Sequence, residues 1–270
     1  MTFDSTQNKI VIYMMYLGIG RRKARRLALF SVFLILACLF FIIYGRSAFR
    51  MKRKLPEALP YTVETVKVFP FSDAGSLKEW EEKVFKGRVV YNIEKGEALS
   101  YVKAKSQASA SALYYKLKID AKNKQPVVSW KWRVEKFPQK KFPENLDTQT
   151  EDDFSARVYV IFPAMFFTNS KVLEYIWAEK LPVGTTGTSP YSPNIKLIVL
   201  RSGPSKEWVT EKRDIVADYM KLFGRLPEFD IGAVAFMTNA EHTGTSADAM
   251  YDDIELGYKK EESTPKGGRP

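Results

Sequence analysis

The sequence has few of the residues on which common catalytic and metal-binding sites depend. Its 270 residues include one cysteine, Cys38, and one histidine, His242. A zinc site with several Cys or His ligands is therefore excluded by the residue count. The chain also lacks a Gly-x-Ser-x-Gly nucleophile elbow and a phosphate-cradling glycine motif, which argues against many hydrolases and nucleotide-binding enzymes. No cysteine follows residue 38, so cysteine usage indicates no particular redox compartment.

Most of the chain also lacks net charge. The formal charge is +11, from 42 Lys and Arg against 31 Asp and Glu. Residues 1–54 hold 11 of the basic residues and a single acid, Asp4, which leaves residues 55–270 nearly neutral. A nucleic-acid-binding domain needs a basic surface that neutralises phosphates. The charge distribution therefore predicts no nucleic-acid partner.

The basic N-terminal region surrounds an uncharged apolar stretch. Residues 27–45 read LALFSVFLILACLFFIIYG, which is long enough to cross a bilayer core of about 30 Å as a helix. We expect a single-pass anchor in a bacterial inner membrane, with residues 1–26 cytoplasmic, residues 46–60 a basic tether, and the following domain periplasmic. Basic residues flank both ends of the stretch, so the opposite orientation stays open. A cleaved signal peptide is the other alternative.

The rest of the chain shows the two-residue period of half-buried strands. We predict an all-β fold, an antiparallel β-sandwich over residues 61–258, with a disordered tail over 259–270. Two short helices are expected at 76–85, where Ser76 and Glu79 resemble a capping box, and at 213–224, which ends in glycine. The eleven predicted strands are 62–69, 88–94, 98–104, 112–119, 127–135, 153–162, 172–178, 195–201, 207–212, 230–238 and 250–258.

Two of these strands have readable sides. In strand 127–135, Trp130 and Trp132 lie on a uniformly apolar side, which predicts that they are core residues. In strand 153–162, the side with Phe154 is apolar and the side with Arg157 is polar. If the two strands pair as neighbours, one outer face carries Lys131, Arg133, Asp153 and Arg157. That face is either a solvated surface with cross-strand ion pairs or a concave ligand site.

Acid-rich turns raise the question of a metal. Asp152, Asp252 and Asp253 offer the hard oxygen ligands that calcium prefers, so a structural calcium ion is an alternative to plain turns. No other cofactor is predicted. Paired carboxylates also catalyse glycoside hydrolysis, but the acids are too numerous for the sequence to single out a pair.

Seven segments, in this order, resemble a known family. They are WKWRV (130–134), EDDFSARVYVIF (151–162), EYIWA (174–178), VLRSG (199–203), EKRDIVADYMKLFG (211–224), AFMTNAEHTG (235–244) and YDDIEL (251–256). The chain thereby resembles the bacterial domain-of-unknown-function family 3047 over roughly residues 62–258. The resemblance implies an exported or membrane-attached protein of unassigned activity, with a jelly-roll sandwich similar to carbohydrate-binding modules. The family pattern near residue 239 is closer to MTDADNTG, so Asn239, Glu241 and His242 depart from it.

These observations favour a membrane-anchored sandwich that binds a saccharide or another cell-envelope ligand without catalysis. An interaction module that docks an envelope protein is the first alternative, and a carbohydrate-active enzyme is the second. The candidate ligand-binding residues are Asp153, Arg157, Arg133, Tyr159, Arg213 and Asp218. No catalytic residue is predicted.

Overall fold

A computed structural model describes residues 61–96, 99–166 and 169–260 of the chain. The predicted cytoplasmic segment 1–26, the predicted membrane anchor 27–45, the tether 46–60 and the tail beyond residue 260 lie outside the described residues. Within the described ranges, no helix has the length and apolarity needed to cross a membrane.

The described ranges contain thirteen strands and one α-helix. The helix, α1, spans Ile215–Phe223. The strands are β1 Val63–Phe69, β2 Glu81–Lys86, β3 Val90–Lys95, β4 Ser100–Gln107, β5 Ala110–Ile119, β6 Pro126–Lys136, β7 Ala156–Phe162, β8 Lys171–Ala178, β9 Thr186–Thr188, β10 Ile195–Ser202, β11 Val209–Asp214, β12 Ile231–Asn239 and β13 Ser246–Lys259.

The strands form two sheets, which confirms the predicted all-β sandwich. One sheet has six strands in the order β11-β6-β13-β4-β3, with β1 paired to β13. The other has seven strands in the order β2-β5-β12-β7-β8-β10-β9. The expectation of a purely antiparallel fold is wrong at one place, because β8 and β10 are parallel. A parallel pair needs a long return connection, and residues 179–194 provide it.

The predicted neighbours 127–135 and 153–162 belong to different sheets. Strand β6 lies between β11 and β13, whereas β7 lies between β12 and β8. Arg133 and Arg157 therefore do not share an outer face, and the conditional prediction of one polar face is wrong. The alternation of side chains assigns faces within a strand, but it carries no information about which distant strand becomes the neighbour.

The core between the two sheets is built around aromatic residues. Trp130 and Trp132 of β6 are both fully buried, as predicted. The Trp130 ring packs against Tyr175 with ring centroids 5.2 Å apart, and the Trp132 ring packs against Trp177 at 5.6 Å. Aromatic pairs of this kind bury large apolar areas and add edge-to-face attraction. This contact fixes β8 against β6 across the sandwich.

One predicted helix forms and the other does not. Helix α1 begins after Asp214, whose carboxylate accepts a hydrogen bond from the Ala217 amide, and ends at Gly224 in the left-handed conformation. In place of helix 76–85 the chain forms a short 3₁₀ turn over Ala74–Leu77 and then β2. Pairing of β2 with β5 opposes Glu81 to Tyr114, so cross-strand contacts outweigh the local helical pattern.

Phe154 does not share a core with the rest of β7. The strand begins at Ala156 rather than at 153, so its alternation does not extend back to Phe154. Instead, Phe154 and Leu146 of the β6–β7 connection pack on Ile176 and Leu197, in a second small core. This connection covers the outer face of β8 and β10. The other half of the outer face of this sheet is formed by β5, β12 and β7.

Candidate functional site

Arg157 lies at the centre of a buried ion cluster on the outer side of β7. Its guanidinium binds the carboxylate of Asp152, and its Nε lies 2.7 Å from Oε1 of Glu174 on the neighbouring strand. All three side chains are less than a tenth exposed. We call Asp152, Arg157 and Glu174 the Arg157 cluster. A buried arginine between two carboxylates is an internal ion cluster rather than a free anion receptor.

The pKa values of Arg157 and Glu174 depend on the other charges of the Arg157 cluster. Burial opposes the charged guanidinium, but Asp152 and Glu174 outweigh it and raise the pKa of Arg157 well above its usual value. Burial raises the pKa of Glu174 to about 7, although Arg157 opposes the shift. The Nε–Oε1 contact is an ion pair without good hydrogen-bond alignment, since neither atom has a hydrogen-bond partner. Glu174 is therefore the weakly held member of the cluster.

Asn239, at the end of β12, connects the Arg157 cluster to a second group of carboxyls. Its Oδ1 accepts hydrogen bonds from the Phe154 amide at 3.1 Å and from Arg157 Nη1 at 3.4 Å. Its Nδ2 donates to Asp153 Oδ1 at 3.0 Å and to Glu241 Oε2 at 2.9 Å. The side chain is fully buried. An amide suits this position because it accepts on one side and donates on the other.

Asp153, just before β7, and Glu241, in the loop after β12, form a carboxyl pair. Asp153 accepts hydrogen bonds from the backbone amides of Thr243 at 2.7 Å and His242 at 3.3 Å. Burial alone would raise the pKa of Asp153, but these bonds outweigh burial and lower it. Burial and the adjacent Asp153 raise the pKa of Glu241 to about 7. Asp153 is thus the ionised member of the pair, and Glu241 is the member that is protonated below about pH 7.

His242 lies beside this carboxyl pair and connects it to Tyr191, in the loop before β10. Its Nδ1 lies 3.2 Å from Glu241 Oε1 and 3.4 Å from Asp153 Oδ1. Its Nε2 forms a 2.7 Å hydrogen bond with the hydroxyl of Tyr191. Tyr191 precedes β10, whose first residues pair with the start of β8, whereas His242 follows β12. The bond therefore connects two loops that leave the seven-stranded sheet at opposite ends.

A row of side chains crosses the outer face at the level of Tyr159. Strand register aligns Glu81, Tyr114, Ala235, Tyr159 and Glu174 on five successive strands. Tyr114 donates a hydrogen bond to Glu81, and Tyr159 lies opposite Glu174 in the strand register. The two tyrosines lie on either side of the small Ala235. Both rings are half-buried. We call this set the tyrosine row.

The described residues bring together three side chains that could bind a metal ion. Asp153, Glu241 and His242 each offer one ligand atom, and these atoms lie within 4.8 Å of one another. Two carboxylates and one imidazole suit a transition metal better than calcium, which prefers oxygen ligands alone. The calcium candidates do not join them. Asp152 belongs to the Arg157 cluster, and Asp252 and Asp253 lie on β13 of the other sheet.

The other predicted site residues lie in separate places. Arg133 is partly exposed on the six-stranded sheet, where it pairs with Glu135 at 3.1 Å and its guanidinium carbon lies 5.6 Å from the Trp208 ring centroid. Arg213 and Asp218 bind each other, with Nε to Oδ2 at 2.8 Å, and Asp218 also accepts from Tyr175. This pair joins α1 to β11 and the core. A ligand role for these residues stays a prediction.

The two calcium candidates on β13, Asp253 and Asp252, differ in their surroundings. Asp253 pairs with Lys131 at 2.6 Å and has a positive φ of 45° at a bulge. Asp252 is buried, and burial raises its pKa to about 6. A calcium role stays a prediction for Asp152, Asp252 and Asp253.

Glu174, Asn239 and Glu241 contact the predicted site residues Arg157 and Asp153, directly or through one another, but they were not among the candidate ligand-binding residues named from the sequence. Only Glu174 carries a local signal, because it is the one charged residue within the run VLEYIWA (172–178). A lone acid in an apolar strand predicts a buried partner. Asn239 and Glu241 follow a strand as ordinary turn residues do, so their local sequence does not distinguish them.

The model for the family described as "Protein of unknown function (DUF3047)" matches residues 78–255, which is well over half of the chain. The chain belongs to the DUF3047 family. This confirms the resemblance, and it places the Arg157 cluster, the carboxyl pair and the tyrosine row within the matched region of the DUF3047 chain. No curated protein matches it.

Solved structures similar to the DUF3047 chain include carbohydrate-binding modules and a cellulase. A family 11 module of the cellulase Lic26A-Cel5E of Clostridium thermocellum is 10% identical, with a TM-score of 0.40, over 76% of this chain and 99% of that one. The CBM22-1 xylan-binding domain of Paenibacillus barcinonensis Xyn10C is 8% identical, with a TM-score of 0.40, over 75% and 99%. A variant of the Cel12A cellulase of Rhodothermus marinus is 11% identical, with a TM-score of 0.43, over 74% and 96%. These values identify neither a ligand nor an activity for the DUF3047 chain.

The raised pKa of Glu241 gives a testable pH dependence. A carboxyl whose pKa rises on folding, here from 4.5 to about 7, stabilises the fold fully below its unfolded pKa and loses that contribution as pH rises through 7. Gln stays neutral and keeps the acceptor for Asn239. We expect Glu241→Gln to be more stable than the DUF3047 parent at pH 8, by about 1–2 kcal/mol.

Urea denaturation between pH 4.5 and 8 checks this expectation, with exposed Glu228→Gln as the matched control. The stability of the parent should fall across this range, and Glu241→Gln should fall less steeply. Glu174 contributes a remaining slope, because burial also raises its pKa to about 7. Equal slopes for parent and Glu241→Gln would contradict the raised pKa of Glu241.

Proposed function

We propose that this chain is a membrane-anchored, periplasm-facing β-sandwich that binds a saccharide of the bacterial cell envelope without catalysis. Residues 27–45 would supply the single-pass inner-membrane anchor, since they form an uncharged apolar stretch between basic flanks. The single observation that supports saccharide binding is the tyrosine row. It places two partly exposed tyrosines and the exposed carboxylate of Glu81 on one face of the described sandwich, with the buried Glu174 at its other end.

The chemistry of the tyrosine row matches that of a sugar. Aromatic rings pack against the apolar faces of pyranose rings, while carboxylates accept hydrogen bonds from hydroxyls. Tyr114 and Tyr159 are separated by one strand, so their backbones lie roughly 9.6 Å apart. Two linked sugar units would span this separation. Glu81, at the exposed end of the row, would contact hydroxyls after a small movement of the Tyr114 hydroxyl.

The arrangement of the carboxyls favours binding over hydrolysis. Glycosidases hold their two carboxyl groups roughly 5–5.5 Å apart for retention and 6.5–9.5 Å apart for inversion. Asp153 and Glu241 instead both accept a hydrogen bond from Asn239 Nδ2, at 3.0 and 2.9 Å, and carboxylate oxygens of the two lie within 4.8 Å of each other, so no glycosidic bond fits between them. Asp152 and Glu174 both bind Arg157. This leaves a non-catalytic role as the better proposal.

Binding of the full-length chain in detergent to cell-envelope polysaccharides tests the proposal by calorimetry. We expect Tyr114→Ala and Tyr159→Ala each to weaken binding about two- to tenfold, the value of one aromatic contact. Tyr101→Ala and Trp208→Ala are matched controls, because these rings lie together on the outer face of the six-stranded sheet, with centroids 5.4 Å apart. The proposal would be contradicted if binding were weakened only in Tyr101→Ala or Trp208→Ala, or if the chain bound no envelope polysaccharide.

A second candidate function is docking of an envelope protein at the edge of the seven-stranded sheet. Strand β2 forms this edge, and it exposes Val84 by 38% and Phe85 by 62%. Edge strands with exposed apolar side chains pair readily with other chains. Recovery of one stoichiometric protein partner, lost in Phe85→Glu and retained in Tyr159→Ala, would favour this function over saccharide binding.

A further inference from the structure

One end of the sandwich gathers the point where the chain enters the domain, α1 and the β7–β8 loop. In the six-stranded sheet, Val63 at the start of β1 pairs with Lys259 at the end of β13. Helix α1 follows β11 at this end, and its Tyr219 packs on Phe162, the last residue of β7, with ring centroids 4.9 Å apart. Tyr61 lies there too, because its carbonyl accepts a hydrogen bond from Lys212. We call this the entry end.

The entry end exposes large apolar side chains. Met165 and Phe166, in the β7–β8 loop, are 92% and 68% exposed. Met220 of α1 is 48% exposed and Leu226, just after the helix, is 61% exposed. Large apolar side chains left exposed commonly mark an interaction surface in soluble domains. The fold does not bury them, so their apolar area remains for another surface.

Exposed basic side chains also lie at the entry end. Lysines are exposed in the β5–β6 turn, on α1 and after β13. They are Lys122, Lys124, Lys221 and Lys260. The far end of the sandwich instead carries the carboxyl pair Asp153 and Glu241. Apolar side chains and lysines at one end of a domain match an anionic lipid surface, which offers both an acyl boundary and negative headgroups.

The residues that precede the entry end support a membrane as the surface that it contacts. The uncharged stretch 27–45 is followed by only fifteen residues, 46–60, before Tyr61. Fully extended, such a segment reaches about 50 Å. An anchor at residues 27–45 would therefore keep the entry end, where Tyr61 follows the tether, within about 50 Å of the bilayer.

We propose that the entry end lies on the surface of an anionic phospholipid bilayer, with Met165 and Phe166 inserted at the headgroup level and the carboxyl pair directed away from the membrane. The inference rests on the membrane anchor proposed above and not on saccharide binding. A single weak contact rarely holds a protein on a bilayer, whereas an anchor combined with apolar and basic contacts does.

Site-specific fluorescence of the full-length chain in vesicles tests this orientation. Two single-cysteine variants are made in a Cys38→Ser background, and each carries one environment-sensitive fluorophore. Phe166→Cys places it at the entry end, and Lys206→Cys places it in the β10–β11 loop at the far end. Vesicles contain phosphatidylcholine, phosphatidylglycerol and a spin-labelled lipid that quenches on contact. We expect a blue shift and loss of intensity at position 166 and neither change at 206. Omission of phosphatidylglycerol should reduce the quenching at 166.

The outcomes separate the anchor from the orientation. If the labelled chain does not float with the vesicles, the anchor is wrong and the inference fails with it. If the chain floats and the two probes respond alike, the anchor stands and the orientation is wrong. If quenching at 166 is unchanged without phosphatidylglycerol, the anionic surface is wrong. Glycan binding by the same samples is measured separately, so its failure would leave the orientation intact.

Discussion

Replacement of Arg157 by alanine is expected to destabilise the sandwich by about 3–5 kcal/mol, because it leaves two buried carboxylates without their cation. Asp152 and Glu174 both contact the guanidinium and are both buried. The loss should be smaller at acidic pH. Burial already raises the pKa of Glu174 to about 7, and without Arg157 this carboxyl should protonate at a still higher pH.

Chemical denaturation of the full-length chain in detergent measures this loss. All five tryptophans lie in the described sandwich, at positions 80, 130, 132, 177 and 208, so their fluorescence reports on this domain alone. Arg133→Ala is the matched control. Arg133 is partly exposed and its pair with Glu135 is surface-like, so we expect a loss below about 1 kcal/mol.

A rescue variant separates lost charge from lost volume. The combination of Arg157→Met with Asp152→Asn and Glu174→Gln keeps similar shapes and removes all three charges. Buried ion clusters replaced in this way often retain stability, so we expect the combination to be more stable than Arg157→Ala. An Arg157→Ala protein within about 1 kcal/mol of the parent would show that the cluster is not a buried ion cluster in solution.

Asn239→Asp is expected to destabilise the fold by about 2–5 kcal/mol at pH 8. The substitution replaces the Nδ2 donor with an oxygen that faces Asp153 and Glu241, which are its partners at 3.0 and 2.9 Å. Three carboxyls would then share one buried space. The loss should shrink as pH falls, because protonation of Glu241 and of the introduced carboxyl relieves the repulsion.

Two further measurements test whether the loss of stability in Asn239→Asp comes from the buried position of Asn239. Asn123→Asp is the matched control, since Asn123 also donates to a carboxylate, Asp120, but at an exposed turn. Its effect should stay below about 1 kcal/mol. The Asn239→Asp protein should also gain more stability from Mn²⁺ or Zn²⁺ than the parent does, because a cation that binds only the folded state stabilises it. Equal loss for both Asn→Asp variants would contradict the bridging role of Asn239.

The sequence allowed prediction of the elements whose pattern is local. All eleven predicted strands overlap observed strands, and α1 was predictable from its final Gly224 and its periodic apolar residues. Strand β2 was missed because EWEEKVF reads as a helix until the pairing with β5 is known. Strand β9 was missed because its three residues, Thr186–Thr188, resemble the loop around them.

The site was harder to predict, since it depends on distant contacts. Asp153, Arg157 and Tyr159 were recognised from the polar side of one strand. Their partners Glu174 and Glu241 are brought to them by strand register and by the loop after β12, neither of which alternation encodes. Sequence reasoning therefore recognised the polar side of β7, but not the partners that bury Arg157 and Asp153.

Strand β13 has a consequence for the order in which the domain can assemble. It pairs with β1, β4 and β6, and Val63 pairs with Lys259 across nearly the whole length of the domain. The six-stranded sheet therefore lacks its centre until the last described strand is available. Such long-range pairings slow folding, because distant segments must meet before contacts reward them. The domain should thus fold late, only after β13 has been synthesised, and any truncation that removes β13 should yield an aggregating chain rather than a smaller sandwich.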